Sequence, residues 1–406
     1  MKKRIVLSLV ISLVLIVAFV VTTTAQAADT IKIAAVEPLS GTFKDIGERY
    51  FSGVEYAVKV LNEQGGLLGR KVELIALDSE LKPDVATRKA TKLILKEGVK
   101  FFCGGTGSSV GGAMSVLAEK NNAVMISYGM AAASLTGPKC SRNFFRACLN
   151  TDQQSYALAN WVATSGYKKI ATVAQDYSFG HEATAAFLRK LKELNPSIEI
   201  VAELYHKAGE KDYAPYVSQV ISSGAELVFT SNWGNDLTLL IKQAKPLGLK
   251  AKFVCYYLND SYVIQGVGSD DAVLGSMTGE SYMLSIASES NGKFVEGFYK
   301  DKGYYPSWLP GKSYVATMFW AAAVKKAGTD NVDAVIKAWE GLTFDSIAGE
   351  YYMRPCDHQV QCPVWIAEVV KENKFYKHAF VDVPKMIPAK DTEVPCEETG
   401  CTRIKK

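Results

Sequence analysis

The sequence predicts an α/β protein of two doubly wound, Rossmann-like lobes, each with a parallel central sheet covered by helices. Three observations carry this. Short apolar runs alternate with segments of helical period along nearly the whole chain, and strands that alternate with helices pair in parallel. The alternation yields about ten units, too many for one sheet. It also pauses after residue 131 and restarts at 152, which divides the units between two bodies.

The chain opens on Met1, Lys2, Lys3 and Arg4, followed by an apolar run over 5–21 broken only by Ser8 and Ser12. Ala25, Gln26 and Ala27 then form the small-residue pattern after which a signal peptidase cuts, so a leader over 1–27 and export are expected. No cysteine precedes Cys103, which leaves no site for a lipid anchor. The formal charge of +4 includes Lys2, Lys3 and Arg4, so the remaining chain is close to neutral. That balance argues against a nucleic-acid or polyanion binder.

Residues 30–39 read as a buried strand. A helix over 45–62 follows, with Ile46, Tyr50, Val54, Ala57, Val58 and Leu61 on one face, and Gly65 and Gly66 stop it. Residues 71–77 and 83–96 repeat the unit. The apolar run Phe101, Phe102, Cys103 then enters Gly104, Gly105, Thr106, Gly107, Ser108 and Ser109, and an Ala/Met/Val/Leu pattern continues to Glu119: strand, tight loop, helix. A fourth strand over 123–127 delivers Tyr128, Gly129, Met130 and Ala131 to a loop.

After the restart, strands are predicted over 169–174, 199–202, 227–230 and 253–257, and helices over 152–164, 182–194, 213–222 and 236–244. Three more helices, over 291–302, 313–327 and 332–342, precede a strand-like stretch to 381. Residues 384–406 are polar and turn-rich, and order is expected only around the loop between Cys396 and Cys401.

Parallel α/β sheets bind ligands beyond the carboxyl ends of their strands. Four loops therefore become candidate walls: 104–109, 128–131, 176–180 and 231–235. The first leads into a helix whose opening N–H groups have no internal partner and carry the positive end of the dipole, which suits a carboxylate or phosphate. Aromatic side chains, Tyr128, Phe179, Trp233 and Tyr257, dominate the rest, although core packing is the commoner fate of such residues.

Catalytic patterns fail on spacing. Gly105 and Gly107 lack the third glycine of a dinucleotide loop, which would fall at Val110. Gly311, Lys312 and Ser313 imitate a phosphate loop, but its first glycine would be Pro306. Ser108 or Ser109 with His181 lacks the Gly-x-Ser-x-Gly turn, so no enzyme is expected. The four histidines are scattered, and neither a metal site nor a cofactor is expected. Among eight cysteines in an exported chain, sequence proximity favours three local disulfides, Cys140 with Cys148, Cys356 with Cys362 and Cys396 with Cys401. Cys103 and Cys255, in apolar runs, read as reduced buried thiols.

With these residues collected, the chain resembles the periplasmic solute-binding proteins of branched-chain amino acid ABC transporters over nearly all of 30–381. The markers are Ile33 through Gly41 (IAAVEPLSG), Gly53 through Ala57 (GVEYA) with Asn62 through Gly66 (NEQGG), Gly69 through Leu74 (GRKVEL), the loop 104–109, the loop 176–180, and Lys242, Gln243 and Ala244 before Gly248, Leu249 and Lys250. The resemblance implies the type I periplasmic binding protein fold. Its lobes would be 28–150 with 281–348 and 151–280 with 349–383, joined by three hinge crossings near Asn150, Glu280 and Gly349, with 384–406 as a tail.

The resemblance also implies site residues. The ligand carboxylate would sit at Ser108, with Ser109 beside it; Tyr128, Gly129 and Ala131 would follow the fourth strand, Ala131 standing where the family has threonine. Phe179 and Trp233 match second-lobe tyrosines. The acid that meets a ligand ammonium falls at Tyr257, which leaves Asp260, Asp176 or Glu280 to replace it. Two ligand classes stay open, a hydrophobic amino acid and an aromatic or other small carboxylate without an amine. A small amide held by Asn232, Asn235 and Asn259 is a third. The implied partners are an inner-membrane permease and its ATPase, with the chain acting as a monomer; a sensor using the same lobes is the alternative class.

Overall fold

The computed structural model describes residues 30–382 and 384–402, and the expected leader lies outside the described residues. The first sheet runs in the order β2-β1-β3-β4-β5, all parallel: β1 (Ile31–Glu37), β2 (Val72–Asp78), β3 (Phe101–Gly104), β4 (Val124–Ser127) and β5 (Phe144–Arg146). Both faces are covered. Ile33, Ala35, Phe101 and Cys103 enter one apolar cluster while Ala34, Val36 and Phe102 enter another, so the strands read as unbroken apolar runs. Helices α1 (Lys44–Glu63), α2 (Pro83–Glu97) and α3 (Ser108–Lys120) fill the crossovers.

The second sheet repeats the order. Around β6 (Lys169–Gln175), β7 (Glu199–His206), β8 (Leu227–Thr230), β9 (Lys252–Cys255) and β10 (Met277–Glu280) the sequence is β7-β6-β8-β9-β10, again parallel. Helices α4 (Thr151–Thr164), α5 (Ser178–Leu194), α6 (Ala214–Ser223), α7 (Gly234–Ala244), α8 (Ser261–Val267) and α9 (Asp270–Val273) accompany it. In each sheet the strand order reverses once, at β1/β3 and at β6/β8, and such switch points open the crevice that takes a ligand.

The chain then returns to the first lobe through α10 (Glu289–Lys302), α11 (Trp308–Ala327) and α12 (Val332–Trp339). Helix α11 starts earlier than the expected residue 313: Pro310 lies in its first turn, where a missing N–H costs nothing. It lies close along α1, with Ser313 Oγ donating to the Tyr50 carbonyl at 2.7 Å. A side chain at Gly53 would put its Cβ 2.2 Å from the Pro310 carbonyl oxygen, so glycine sets this approach.

A small antiparallel sheet, β11 (Thr343–Ser346), β12 (Gly349–Met353) and β13 (Val360–Gln361), packs on α11 through Phe344 stacked on Phe319. The second sheet regains the chain at β14 (Val364–Val370), antiparallel to β10. The third crossing thus follows Gln361 rather than Gly349, because residues 349–361 pair within the small sheet. β14 also carries β15 (Phe380–Val381) and β16 (Lys385–Ile387).

The tail and the disulfides differ from expectation together. Cys140 pairs with Cys401 and Cys356 with Cys396, while Cys103, Cys148, Cys255 and Cys362 are buried free thiols. A strand intervenes in two of the expected short loops. β5 carries Cys148 away from Cys140, and β13 carries Cys362 away from Cys356, at about 3.3 Å per residue. Cys396 and Cys401, freed from each other, fasten the tail to the body of the protein, and residues 384–402 are structured by β16 and these two bonds.

Candidate functional site

The two switch points face each other across the lobes. Between them lies a cleft with about 360 Å³ of empty space, partly open to solvent. The first lobe contributes Gly105 to Ser108, Gly129, Tyr50, Ile46 and Trp308; the second contributes Tyr177, Phe179, Trp233 and Tyr257.

The anion-ready element is the start of α3. Gly107, its N-cap, has φ of +86° and offers no side-chain cap, so the first N–H groups of the helix remain available. Ser108 Oγ accepts from Ala132 N–H at 3.2 Å, which leaves its own proton free to donate. The loop before it is fixed from below by Glu37 at the end of β1. The Glu37 carboxyl accepts from Gly105 N–H at 2.6 Å and pairs with the Thr106 hydroxyl. Burial pushes the Glu37 carboxyl up to about 8, against the opposing pull of its hydrogen bonds to Thr106 and Gly105. At neutral pH the group beneath the start of α3 is therefore largely uncharged.

Glycine at 105 and 129 lets Tyr50 pack against these loops. A Cβ would lie 2.6 Å from the Tyr50 ring at Gly105 and 2.1 Å from its hydroxyl at Gly129. The second-lobe wall is braced by Trp233 Nε1 donating to the Tyr177 hydroxyl at 3.0 Å, which ties the loop after β8 to the loop after β6. Both residues are N-caps, of α7 and α5, with extended backbone and no side-chain cap bond.

The lobes touch. Phe43 of the first lies 4.9 Å from Trp233 of the second, ring centre to ring centre, and Tyr257 stacks on Trp308 at 4.3 Å. Arg49 on α1 and Asp260 at the start of α8 form a two-pronged ion pair. Ser134 of the first lobe donates from its N–H and hydroxyl to Glu182 of the second at 3.1 and 2.8 Å. This is a closed arrangement.

Of the sequence-predicted residues, Ser108, Gly129, Phe179, Trp233 and Tyr257 line the cleft. Ser109 does not, because one step along the helix turns it to solvent. Tyr128 is fully buried beneath Tyr50, and Ala131 is buried with its carbonyl accepting from Thr151. Asp260 is taken up by Arg49 and by capping α8 through Tyr262 N–H. Asp176 is exposed beside His181, and Glu280 is buried against Lys312 and Gln154. Asn232, Asn235 and Asn259 do not line the cleft: Asn232 Oδ1 bonds His206, Asn259 Nδ2 donates to the Tyr282 carbonyl, and Asn235 is exposed.

Sequence reasoning missed Tyr50, Tyr177, Ile46 and Trp308. Tyr50 and Ile46 were assigned to a core face, and Tyr177 sat inside a loop already named as a wall. Trp308 gave only the weak signal of an aromatic beside Pro306 and Ser307. Its Nε1 is buried without a partner. Among the described residues no acidic or basic side chain lines the cleft, and His181 lies outside it. Among the described residues no cluster of metal-ligating side chains occurs, and no helix is long and apolar enough to cross a membrane.

Comparison with known proteins agrees with this architecture. The family model of the periplasmic binding protein matches residues 30–374. The Leu/Ile/Val-binding protein homolog 4 of Brucella abortus is 28% identical over 359 residues, covering 85% of each chain. The leucine-, isoleucine-, valine-, threonine-, and alanine-binding protein of Brucella ovis in its closed conformation superposes with a TM-score of 0.83 at 27% identity, covering 91% of this chain and 98% of that one. A solute-binding protein of an R. palustris ABC transporter in complex with benzoate shares the fold with a TM-score of 0.79 at 22% identity, covering 89% and 98%. The lobes, the switch-point cleft and the matched length lead to one assignment: the chain belongs to the periplasmic binding protein family, the solute-binding proteins of ABC transporters.

Proposed function

We propose that the chain captures a small hydrophobic carboxylate between its two lobes and delivers it to the permease and ATPase of an ABC importer. The observation that carries this is the uncapped start of α3, with the free Ser108 hydroxyl, opening onto a wall of Phe179, Trp233, Tyr257 and Trp308. The carboxylate meets N–H groups and a hydroxyl there, the apolar body meets the rings, and closure joins the two sets. The leader over 1–27 directs export and is removed after Ala27, and the mature chain works as a monomer.

The names of the relatives support a branched-chain amino acid as ligand. One observation favours the second class, an aromatic carboxylate without an amine: no acidic side chain lines the cleft, and burying an ammonium without an anion is costly. The benzoate held by a protein of the same fold supports that class as well. Thermal-shift and calorimetric titration of the mature chain with leucine, isoleucine, valine, benzoate, 4-hydroxybenzoate and acetamide tests the proposal. Stabilisation by carboxylates of either class supports it, and binding of acetamide alone overturns it.

A further inference from the structure

We infer that a second ligand site, for an uncharged ring bearing hydroxyl groups, lies at the seam between the lobes beside the cleft. Ser307 lines it, while its neighbour Trp308 lines the cleft. The cavity holds about 760 Å³ of empty space, part of it open to solvent, and draws on both lobes: Tyr299, Tyr305 and Ser307 from the α10–α11 region, Ser261, Gln265 and Tyr376 from the other side.

Three features point to a ligand. Ser307 is only 6% exposed, yet its hydroxyl has no partner among the described residues. It is the N-cap of α11 but makes no cap bond, so the usual use of a serine at that place is forgone. Buried polar groups are otherwise satisfied as a rule. The walls are aromatic: Tyr299 and Tyr305 lie 4.6 Å apart, and Tyr376 stands edge-on to Tyr305 at 5.7 Å. Across from Tyr299 and Tyr305, Ser261 Oγ is shared between Gln265 Nε2 at 2.8 Å and His378 Nε2 at 3.0 Å, which leaves the Gln265 amide as the group presented from the second lobe.

No charged side chain lines the cavity, so neither an anion nor a cation is the natural occupant. Tyrosine faces with fixed hydroxyl and amide groups suit a ring that stacks and hydrogen-bonds at its edge, as a monosaccharide or a phenol does. A ring that reaches Ser307 and Gln265 together touches both lobes and fits only while they are closed. It therefore favours closure and tightens the cleft for its own ligand, and the cleft ligand tightens the seam site by the same factor. This inference does not depend on the identity of the cleft ligand.

The test uses the mature chain with glucose and galactose as one arm and phenol as the other, followed by saturation-transfer NMR. Saturable binding in either arm is expected, weakened about fivefold or more by Ser307→Ala and by Tyr305→Ala, with melting curves checking that each variant folds. Tyr299→Ala, on an exposed rim position, carries the test if Ser307→Ala does not fold. Saturable binding that survives addition of leucine and of benzoate, and is strengthened by whichever of them binds, supports the site. Absence of binding in both arms, indifference to all three substitutions, or displacement by leucine or benzoate overturns it.

Discussion

Arg49 Nη1 on a first-lobe helix donates to both carboxylate oxygens of Asp260, at the start of a second-lobe helix, at 2.8 and 2.6 Å, with side chains 8% and 1% exposed. The Tyr262 ring covers the guanidinium at 4.5 Å. Such a pair exists only while the lobes are closed, so it counts toward closure and not toward the ligand directly. It also removes Asp260 from the acids available to a ligand ammonium.

Breaking this pair should shift the lobes toward the open state. Truncating one partner of a desolvated, hydrogen-bonded pair costs about 2–5 kcal/mol when the other stays buried, though opening relieves part of that. Arg49→Ala or Asp260→Asn is expected to weaken ligand binding by about tenfold or more, and Arg49→Ala with Asp260→Ala by less than the sum of the single changes. Titration calorimetry checks the affinities, and small-angle scattering checks that the ligand-free variant is the more extended.

Trp308 gives a sharper probe of ligand chemistry. Trp308→Phe keeps a ring against Tyr257 but removes the buried Nε1 donor that lacks a partner. If that donor serves the ligand, affinity falls by about three- to tenfold, the value of one hydrogen bond. Trp233→Ala, which removes a whole wall, should cost about tenfold or more. Equal affinities for Trp308→Phe and the parent chain would show that the indole N–H is not used.

Glu37 predicts a pH dependence. Its folded value of about 8 stands above the ordinary 4.5, so the folded state holds its proton more tightly than the unfolded state. The stability this confers is fully present below about pH 4.5 and is lost as pH rises toward 8. Glu37→Gln cannot ionise and should not show this decline. Melting temperatures of both chains between pH 5 and 9 check it: the difference should move in favour of the variant as pH rises to 8 and then level off, whereas parallel curves would contradict it.

The disulfides predict a peptide map. Digestion of the oxidised protein without reduction should release Cys140 linked to Cys401 and Cys356 linked to Cys396, with Cys148 and Cys362 alkylated only after unfolding. Cys401→Ser should lower the melting temperature, since one cross-link is commonly worth about 2–4 kcal/mol.

How much of this could be read from the chain depends on the range of the interaction. The lobes were legible because strand and helix periods are local, and the α3 loop was legible because Gly107 and Ser108 are adjacent to the strand that positions them. Cysteine pairing was not: Cys140 finds a partner 261 residues away, which no short loop announces. Asp260 was singled out for its charge, but its partner sits on α1, and only the closed lobes bring the two together. Tyr50 was placed correctly on an inner helix face, yet glycines at 105 and 129 turn that face into the floor of the cleft. The missed residues share one property: their roles arise between elements rather than within one.

The most direct measurement of the central claim is a paired calorimetric titration of the mature chain with leucine against leucinamide and with benzoate against benzamide. Each pair differs only in the group that would meet the start of α3. At least one carboxylate is expected to bind saturably, and its amide at least about tenfold more weakly, the gap expected when a charge-assisted contact becomes a neutral one. Equal binding of acid and amide, or no binding of either acid, would contradict it.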